Sequence, residues 1–284
     1  MQASDLSVGK ATAEISAINT APINASIEDH RLAAQLADEA GRLLVELRAR
    51  LHGQDAPMAV LKAQGDRQAH ELLMNRLQAA RPDDAILSEE GPSETGRADL
   101  TRLDAERTWI IDPLDGTREF SEVPRTDWAV HVALVADHRP IAGAVALPAL
   151  GLLLSTANPP SPPPAGASAV RLIVSRTRPP AAAIHVAEDL GADLVEMGSA
   201  GAKAMAVVRG ECEIYAHSGG QYEWDSCAPV AVAAAAGCHA SRIDGSELLY
   251  NQADPYLPDL LICRRELAEP TLASLATFAS QQTC

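Results

Sequence analysis

Two aspartates, Asp112 and Asp115, end an apolar run and are followed at once by Gly116 and Thr117. The run from Thr108 to Ile111 reads as a strand buried in a sheet. Pro113 fixes its own φ and disfavours the helical region for Asp112, so a rigid turn presents both carboxylates at the strand's end. Gly116 lets backbone approach closely, and Thr117 can cap a helical turn whose N–H groups point outward. Carboxylates on one side and an anion-binding helix start on the other suit a metal held against a phosphate. An acidic surface turn is the bland alternative, but it does not call for this order of Pro, Gly and Thr.

Further acidic groups lie far away along the chain. The short apolar stretch 85–87 ends in Ser88-Glu89-Glu90-Gly91, either a solvated turn or the completion of an oxygen cage for hard cations. Glu223-Trp224-Asp225 opens a helix made almost wholly of Ala, Val, Cys and Pro, with Pro229 expected in its first turn. That helix must be buried, and a carboxylate at its mouth is favourable with the helix dipole and wants a cation. Gly198-Ser199-Ala200-Gly201-Ala202-Lys203 reads as a strand-to-helix junction where glycines permit ligand approach. Lys203 there either reaches a phosphate or sugar oxygen, or is an exposed lysine beside a Gly-rich turn. His131, inside an apolar strand, reads as a satisfied core histidine.

Asp112-Pro-Leu-Asp115-Gly-Thr117 resembles the first signature of the inositol monophosphatase superfamily, and Glu223-Trp224-Asp225 with the small residues after it resembles the second. The resemblance runs from about Ile27 to the end of the chain. It implies a magnesium-dependent, lithium-sensitive phosphomonoesterase with two or three Mg²⁺ held by Glu89, Asp112, the Leu114 carbonyl, Asp115 and Asp225. It also implies that Asp66, at the head of the second helix, hydrogen-bonds Thr117 and that the two orient the attacking water. On the residues alone, Asp66 reads as an N-cap.

Four negative charges in one pocket raise one another's pKa values unless cations relieve them. No cysteine or histidine is expected in the cluster, so oxygen-preferring ions suit it better than zinc. Two such ions about 4 Å apart stabilise both attacking and leaving oxygens of an in-line displacement. The expected reaction is therefore hydrolysis by a metal-activated water, with the Gly116 and Thr117 amides on the phosphate. The continuation Arg118-Glu119-Phe120, the Gly198–Lys203 segment and the Glu-Trp-Asp triplet resemble the 3′(2′),5′-bisphosphate nucleotidase branch. That branch removes the 3′-phosphate of adenosine 3′,5′-bisphosphate, the by-product of sulfate assimilation; Arg118, Ser199 and Lys203 would then bind substrate. Inositol 1-phosphate or fructose 1,6-bisphosphate is the alternative substrate, and a catalytically idle metal-binding regulator the remote one.

The elements that must position these groups follow from periodicity. Leu32, Leu36, Ala40, Leu43, Leu44, Leu47 and Leu51 recur at helical spacing, and a second amphipathic helix follows Asp66 through Leu72, Leu73 and Leu77. Strands are expected at 127–135, 141–146 and 152–154, then an alternating α/β half with strands 171–174, 194–197 and 213–215 and helices 181–190 and 200–208, while 259–263 and a final helix resemble the family's terminal strand and helix. The organisation is read as a disordered extension over 1–26, an α+β metal-binding half over 27–157 and an α/β half over 170–284, with the proline-rich 158–169 as linker. The surface loop is placed at 91–107. The resemblance implies that these halves form a layered αβαβα sandwich and that a homodimer is possible.

The 284 residues suffice for a substantial core, and 47% are hydrophobic with few aromatics. The net charge of −15 argues against a partner such as a nucleic-acid polymer, while leaving a small phosphorylated substrate open because bound cations reverse the local field. No apolar run approaches the roughly twenty residues of a membrane span. Five cysteines without metal-ligand spacing read as free thiols in a reducing cytoplasm.

Overall fold

The computed structural model describes residues 24–91, 100–162 and 169–282. Most of the expected extension over 1–26, about half of the surface loop, half of the proline-rich linker and Cys284 lie outside the described residues.

Helix α1 (Ile27–His52) starts where Ser26 accepts from the Asp29 amide and the Asp29 carboxylate accepts from Ser26 N at 2.9 Å, a reciprocal cap. Asp29 is buried and also ion-paired to Arg81 and Arg107, which ties the start of α1 to the end of α2 (Met58–Ala80) and to the head of the strand that leads to Asp112. Helix α2 begins at Met58, after Pro57, about two turns earlier than expected. Asp66 therefore lies inside the helix and is no N-cap, a correction of the local reading. The apolar positions before it, Leu61 among them, already belong to the helical face.

The first sheet has the order β1 (Ala85–Ser88), β2 (Arg107–Asp115), β3 (Ala129–Ala136), β4 (Arg139–Leu147), β5 (Leu152–Ser155), with α3 (Thr117–Ser121) after β2. Only β1 and β2 run parallel; the remaining pairs are antiparallel. The second half contributes β6 (Arg171–Ser175), α4 (Ala181–Leu190), β7 (Asp193–Met197), α5 (Ala200–Val208), β8 (Ile214–Tyr222), α6 (Glu223–Ala235), β9 (His239–Ser241), β10 (Tyr256–Cys263) and α7 (Ala268–Gln282). Its sheet order is β7-β6-β8-β10-β9, with β6 parallel to both neighbours.

Five layers share three cores, the central one filling both faces of the α5–α6 layer. Trp109 and Ile111 of β2 pack toward α1 and α2, while Ile110 between them packs with α5, α6 and the second sheet. Likewise Leu172 and Val174 face α4 and α7, and Ile173 faces inward. The side-chain period of two thus distributes each strand between two cores, and the result is the expected αβαβα sandwich.

Further details differ from the sequence reading. Strand β8 runs on through Gly219 and Gly220 to Tyr222, well past the expected end at 215. Strand β9, only three residues long, carries no alternation long enough to be read. Pro229 is not in the first turn of α6 but in its second, so the Asp225 carbonyl has no amide to pair with four residues on.

Candidate active site

The turn Asp112–Asp115 interrupts the pairing of β2 with β3, where Asp112 lies opposite His131 and Asp115 opposite Ala129. Asp112 accepts from the Leu114 amide at 3.0 Å, a turn closed by its own side chain. Across the interface between the sheets, α6 delivers Asp225, whose carboxylate accepts from Tyr222 N at 2.7 Å. Ligand oxygens of Asp112, Asp115 and Asp225 all lie within 4.8 Å of one another. Glu89 stands beside this triad at its open rim. The parallel register that pairs Ser88 with Ile111 places the next residue level with Asp112, and the two carboxyls interact directly.

The electrostatics are those of crowded acids. Burial pushes the Asp112 carboxyl well above the usual range, and repulsion from Glu89, Asp115 and Asp225 adds to it. Burial also raises Glu89, with Asp225, Asp115 and Glu90 adding repulsion against an opposing bond from Asp112. Asp225 is pushed up to about 6 by burial and the charge of Asp115. Asp115 goes the other way: burial raises it, but His131, Ser199 and the Lys203 charge together outweigh burial and hold it ionised. Two buried carboxylates and a partly buried third, all oxygen donors crowded together, fit a hard divalent ion.

Asp66 and Thr117 are brought together as expected. Thr117 Oγ1 lies 3.2 Å from Asp66 Oδ1 and 3.1 Å from the Leu114 carbonyl, and its one proton serves either acceptor. Helix α2 reaches this turn because Gly65 has no side chain: a Cβ there would sit 2.7 Å from Leu114 Cδ2 and 2.9 Å from Phe120 Cε1. Burial and the Glu90 charge push the Asp66 carboxyl up to about 6, against the Thr117 bond and Lys62.

The Gly198–Lys203 junction differs from its reading. Its approach is to Asp115, which accepts from Ala200 N at 3.1 Å, Gly201 N at 2.6 Å and Ser199 Oγ. The hydroxyl of Ser199 also caps α5 by accepting from Ala202 N at 2.9 Å, so it is already engaged on both sides. Lys203 is neither exposed nor aimed outward. It is buried, its Nζ donates to the Gly198 and Ser199 carbonyls, and it lies 5.4 Å from the centre of the Tyr215 ring. One turn into a helix that starts at Ala200, a long side chain pointing back toward the N-terminus meets those carbonyls first.

A histidine does accompany the cluster, against expectation. His131 is fully buried, with Nδ1 3.0 Å from the Trp224 carbonyl and Nε2 3.2 Å from Asp115 Oδ2. Both ring nitrogens face protein acceptors, so the open donor set remains oxygen. Gly201 leaves the space: a Cβ there would collide with His131 Nε2. One polar ring inside an unbroken apolar strand was the available signal, and only the pairing of α5 with β3 gives it a partner.

The Arg118-Glu119-Phe120 continuation is mostly architectural. Phe120 is buried edge-on to Trp128, with Arg48 donating to its carbonyl at 2.7 Å. Glu119 is buried and ion-paired at 2.7 Å with Arg176, which bonds the first half to the second. Arg118 alone is exposed, paired to Glu122 one turn on at 2.8 Å.

Two sheets with an acidic triad between them, beside a Thr–Asp pair, define a layered α/β protein with a candidate metal centre. Residues 28–279 match the inositol monophosphatase family, and the chain belongs to it. A 3′-phosphoadenosine 5′-phosphate phosphatase of Mycobacterium bovis is 51% identical over 246 residues, covering 84% of this chain and 90% of that relative. The 3′(2′),5′-bisphosphate nucleotidase CysQ of Escherichia coli is 31% identical over 66% of this chain and 79% of its own. Inositol monophosphatase II of Staphylococcus aureus shares the fold with a TM-score of 0.70 at 19% identity, over 90% of this chain and 99% of that one.

Proposed function

We propose that this chain is a metal-dependent phosphomonoesterase that removes the 3′-phosphate of adenosine 3′,5′-bisphosphate to leave AMP. The observation that carries the reading is the meeting of Asp112, Asp115 and Asp225 beside Thr117 and Asp66, in a chain 51% identical to a relative with that name. Glu89, Asp112, the Leu114 carbonyl, Asp115 and Asp225 would hold two or three magnesium ions. These ions would supply the positive charge that draws in the phosphate and stabilises the leaving oxygen.

The protein groups orient the reaction. Donation of the Thr117 hydroxyl proton to Asp66 leaves the Oγ1 lone pairs free to accept from the attacking water. The Gly116 and Thr117 amides hold the phosphate, supported by the left-handed turn at Gly116 that no side chain caps. Arg118 is the exposed cation for the second phosphate. Ser199 and Lys203 serve substrate only indirectly, through the position and charge of Asp115. No described helix is long and apolar enough to cross a membrane, and the four described cysteines are free and buried, which fits a cytoplasmic enzyme of small phosphorylated substrates.

Phosphate release with Mg²⁺ from adenosine 3′,5′-bisphosphate, inositol 1-phosphate and fructose 1,6-bisphosphate tests the reading. The nucleotide is expected to have the highest kcat/KM, and Asp112→Asn to lower it by at least about a hundredfold. A higher value on either sugar phosphate, or full activity in Asp112→Asn, would overturn it.

A further inference from the structure

The sequence holds three Trp, four Tyr and two Phe. Trp109, Trp128, Tyr215, Tyr250 and Phe120 are fully buried, and Phe278 packs in the outer core. The other three aromatics meet in one place. Tyr222 stacks on Trp224 with ring centres 4.8 Å apart and planes 10° from parallel, and Tyr256 meets Tyr222 edge-on at 6.1 Å.

The sheet builds this cluster. Tyr222 and Tyr256 are direct partners on antiparallel β8 and β10, so both rings rise from the same face. Gly220, with φ at +92°, lies under the Tyr256 phenol, which a Cβ would displace. Trp224 is anchored against the inner core, yet Tyr222 and Tyr256 keep 46% and 49% of their surface in solvent. The cluster also begins where the acidic centre ends, because Tyr222 N donates to Asp225 at 2.7 Å and Trp224 is the residue before that aspartate. An apolar, π-rich surface exposed at the mouth of a polar site has no use for the phosphate. It suits a flat ring attached to that phosphate.

We infer that Tyr222, Tyr256 and Trp224 form the platform on which the purine base of the substrate stacks while its 3′-phosphate lies at Asp112, Asp115 and Asp225. This rests on the nucleotide reading above and names the residues that would separate a nucleotide from inositol or fructose phosphates, which present no π face.

The test compares wild type, Tyr222→Ala, Tyr256→Ala and Tyr222→Phe on adenosine 3′,5′-bisphosphate and inositol 1-phosphate, with AMP binding followed by tryptophan fluorescence. Each alanine variant is expected to raise KM for the nucleotide about tenfold with less than about a twofold change in kcat or in inositol 1-phosphate hydrolysis. Tyr222→Phe keeps the wild-type KM, and AMP quenches the wild-type indole signal but not that of Tyr222→Ala. Equal losses on both substrates mean that the rings only brace the sheet, and an unchanged nucleotide KM means that the base lies elsewhere; either overturns the platform. Wild type that turns over inositol 1-phosphate better than the nucleotide instead overturns the parent reading, and the platform with it.

Discussion

At the scale of single residues, the site trades stability for chemistry. Asp66 has its proton affinity raised to about 6 by burial and by Glu90, so the folded chain binds that proton more tightly than the unfolded chain. Ionised Asp66 therefore costs stability at neutral pH, and the cost is relieved as pH falls through about 6 toward the unfolded carboxylate value. Asp66→Asn removes the charge, and in metal-free protein at pH 8 it should raise the unfolding free energy by about 1 kcal/mol after discounting solvent screening. The same change should lower kcat by about a hundredfold or more, because an amide cannot serve as the anionic acceptor of the Thr117 proton. Wild-type kcat/KM should fall as acid protonates that acceptor, with a midpoint below the metal-free value of about 6 because a bound cation favours the ionised form. Urea melts in chelator and a pH–rate profile measure the two halves. A less stable Asp66→Asn, or one that keeps its turnover, contradicts the assignment.

Among the elements, α5 matters most, since its first turn meets Asp115 and its flank meets β3 at His131. Gly201 is the residue that permits both. In an isolated helix, Gly→Ala would stabilise by roughly 1 kcal/mol. Here the added methyl would overlap the buried His131 ring and push α5 off Asp115. Gly201→Ala should thus destabilise by about 1–3 kcal/mol net and reduce activity with it, as overpacked interiors do. The denaturation midpoint decides between the two; a rise would mean that helix propensity prevails over packing. The ion pair of Glu119 with Arg176 works at the same scale, holding α3 against the loop after β6. A motif continuation that resembles a substrate signature is in this way largely a brace between the halves.

On the scale of the whole molecule, −15 net charges include an acidic triad that burial and mutual repulsion make unfavourable when empty. A divalent cation bound by the folded chain alone should stabilise by about 2.7 kcal/mol at one hundred times its dissociation constant. Thermal melts should show Tm rising with Mg²⁺ relative to chelator, more steeply than with the same ionic strength of NaCl. Asp112→Asn should raise the metal-free Tm, since a repelling charge is gone, and flatten the Mg²⁺ response. A wild-type Tm indifferent to Mg²⁺ would mean that the triad holds no such ion. The layered architecture makes the coupling possible, because one carboxylate pair comes from the first sheet and Asp225 from a helix of the second half.

What the sequence alone determined is whatever repeats locally or is written in adjacent residues. The layers follow from alternation such as Trp109, Ile110 and Ile111, and α4 and α5 are found where their apolar spacing puts them. The Asp112–Thr117 turn follows from a proline, a glycine and two aspartates in order. Contacts between distant elements were decided by the tertiary structure: His131 against Asp115, Lys203 turned inward, Glu119 bound to Arg176, Tyr222 beside Tyr256. Backbone sterics and side-chain periodicity act over a few residues and leave a readable trace. Which side chains finally touch depends on sheet register and helix approach, and those are settled only when the whole core packs.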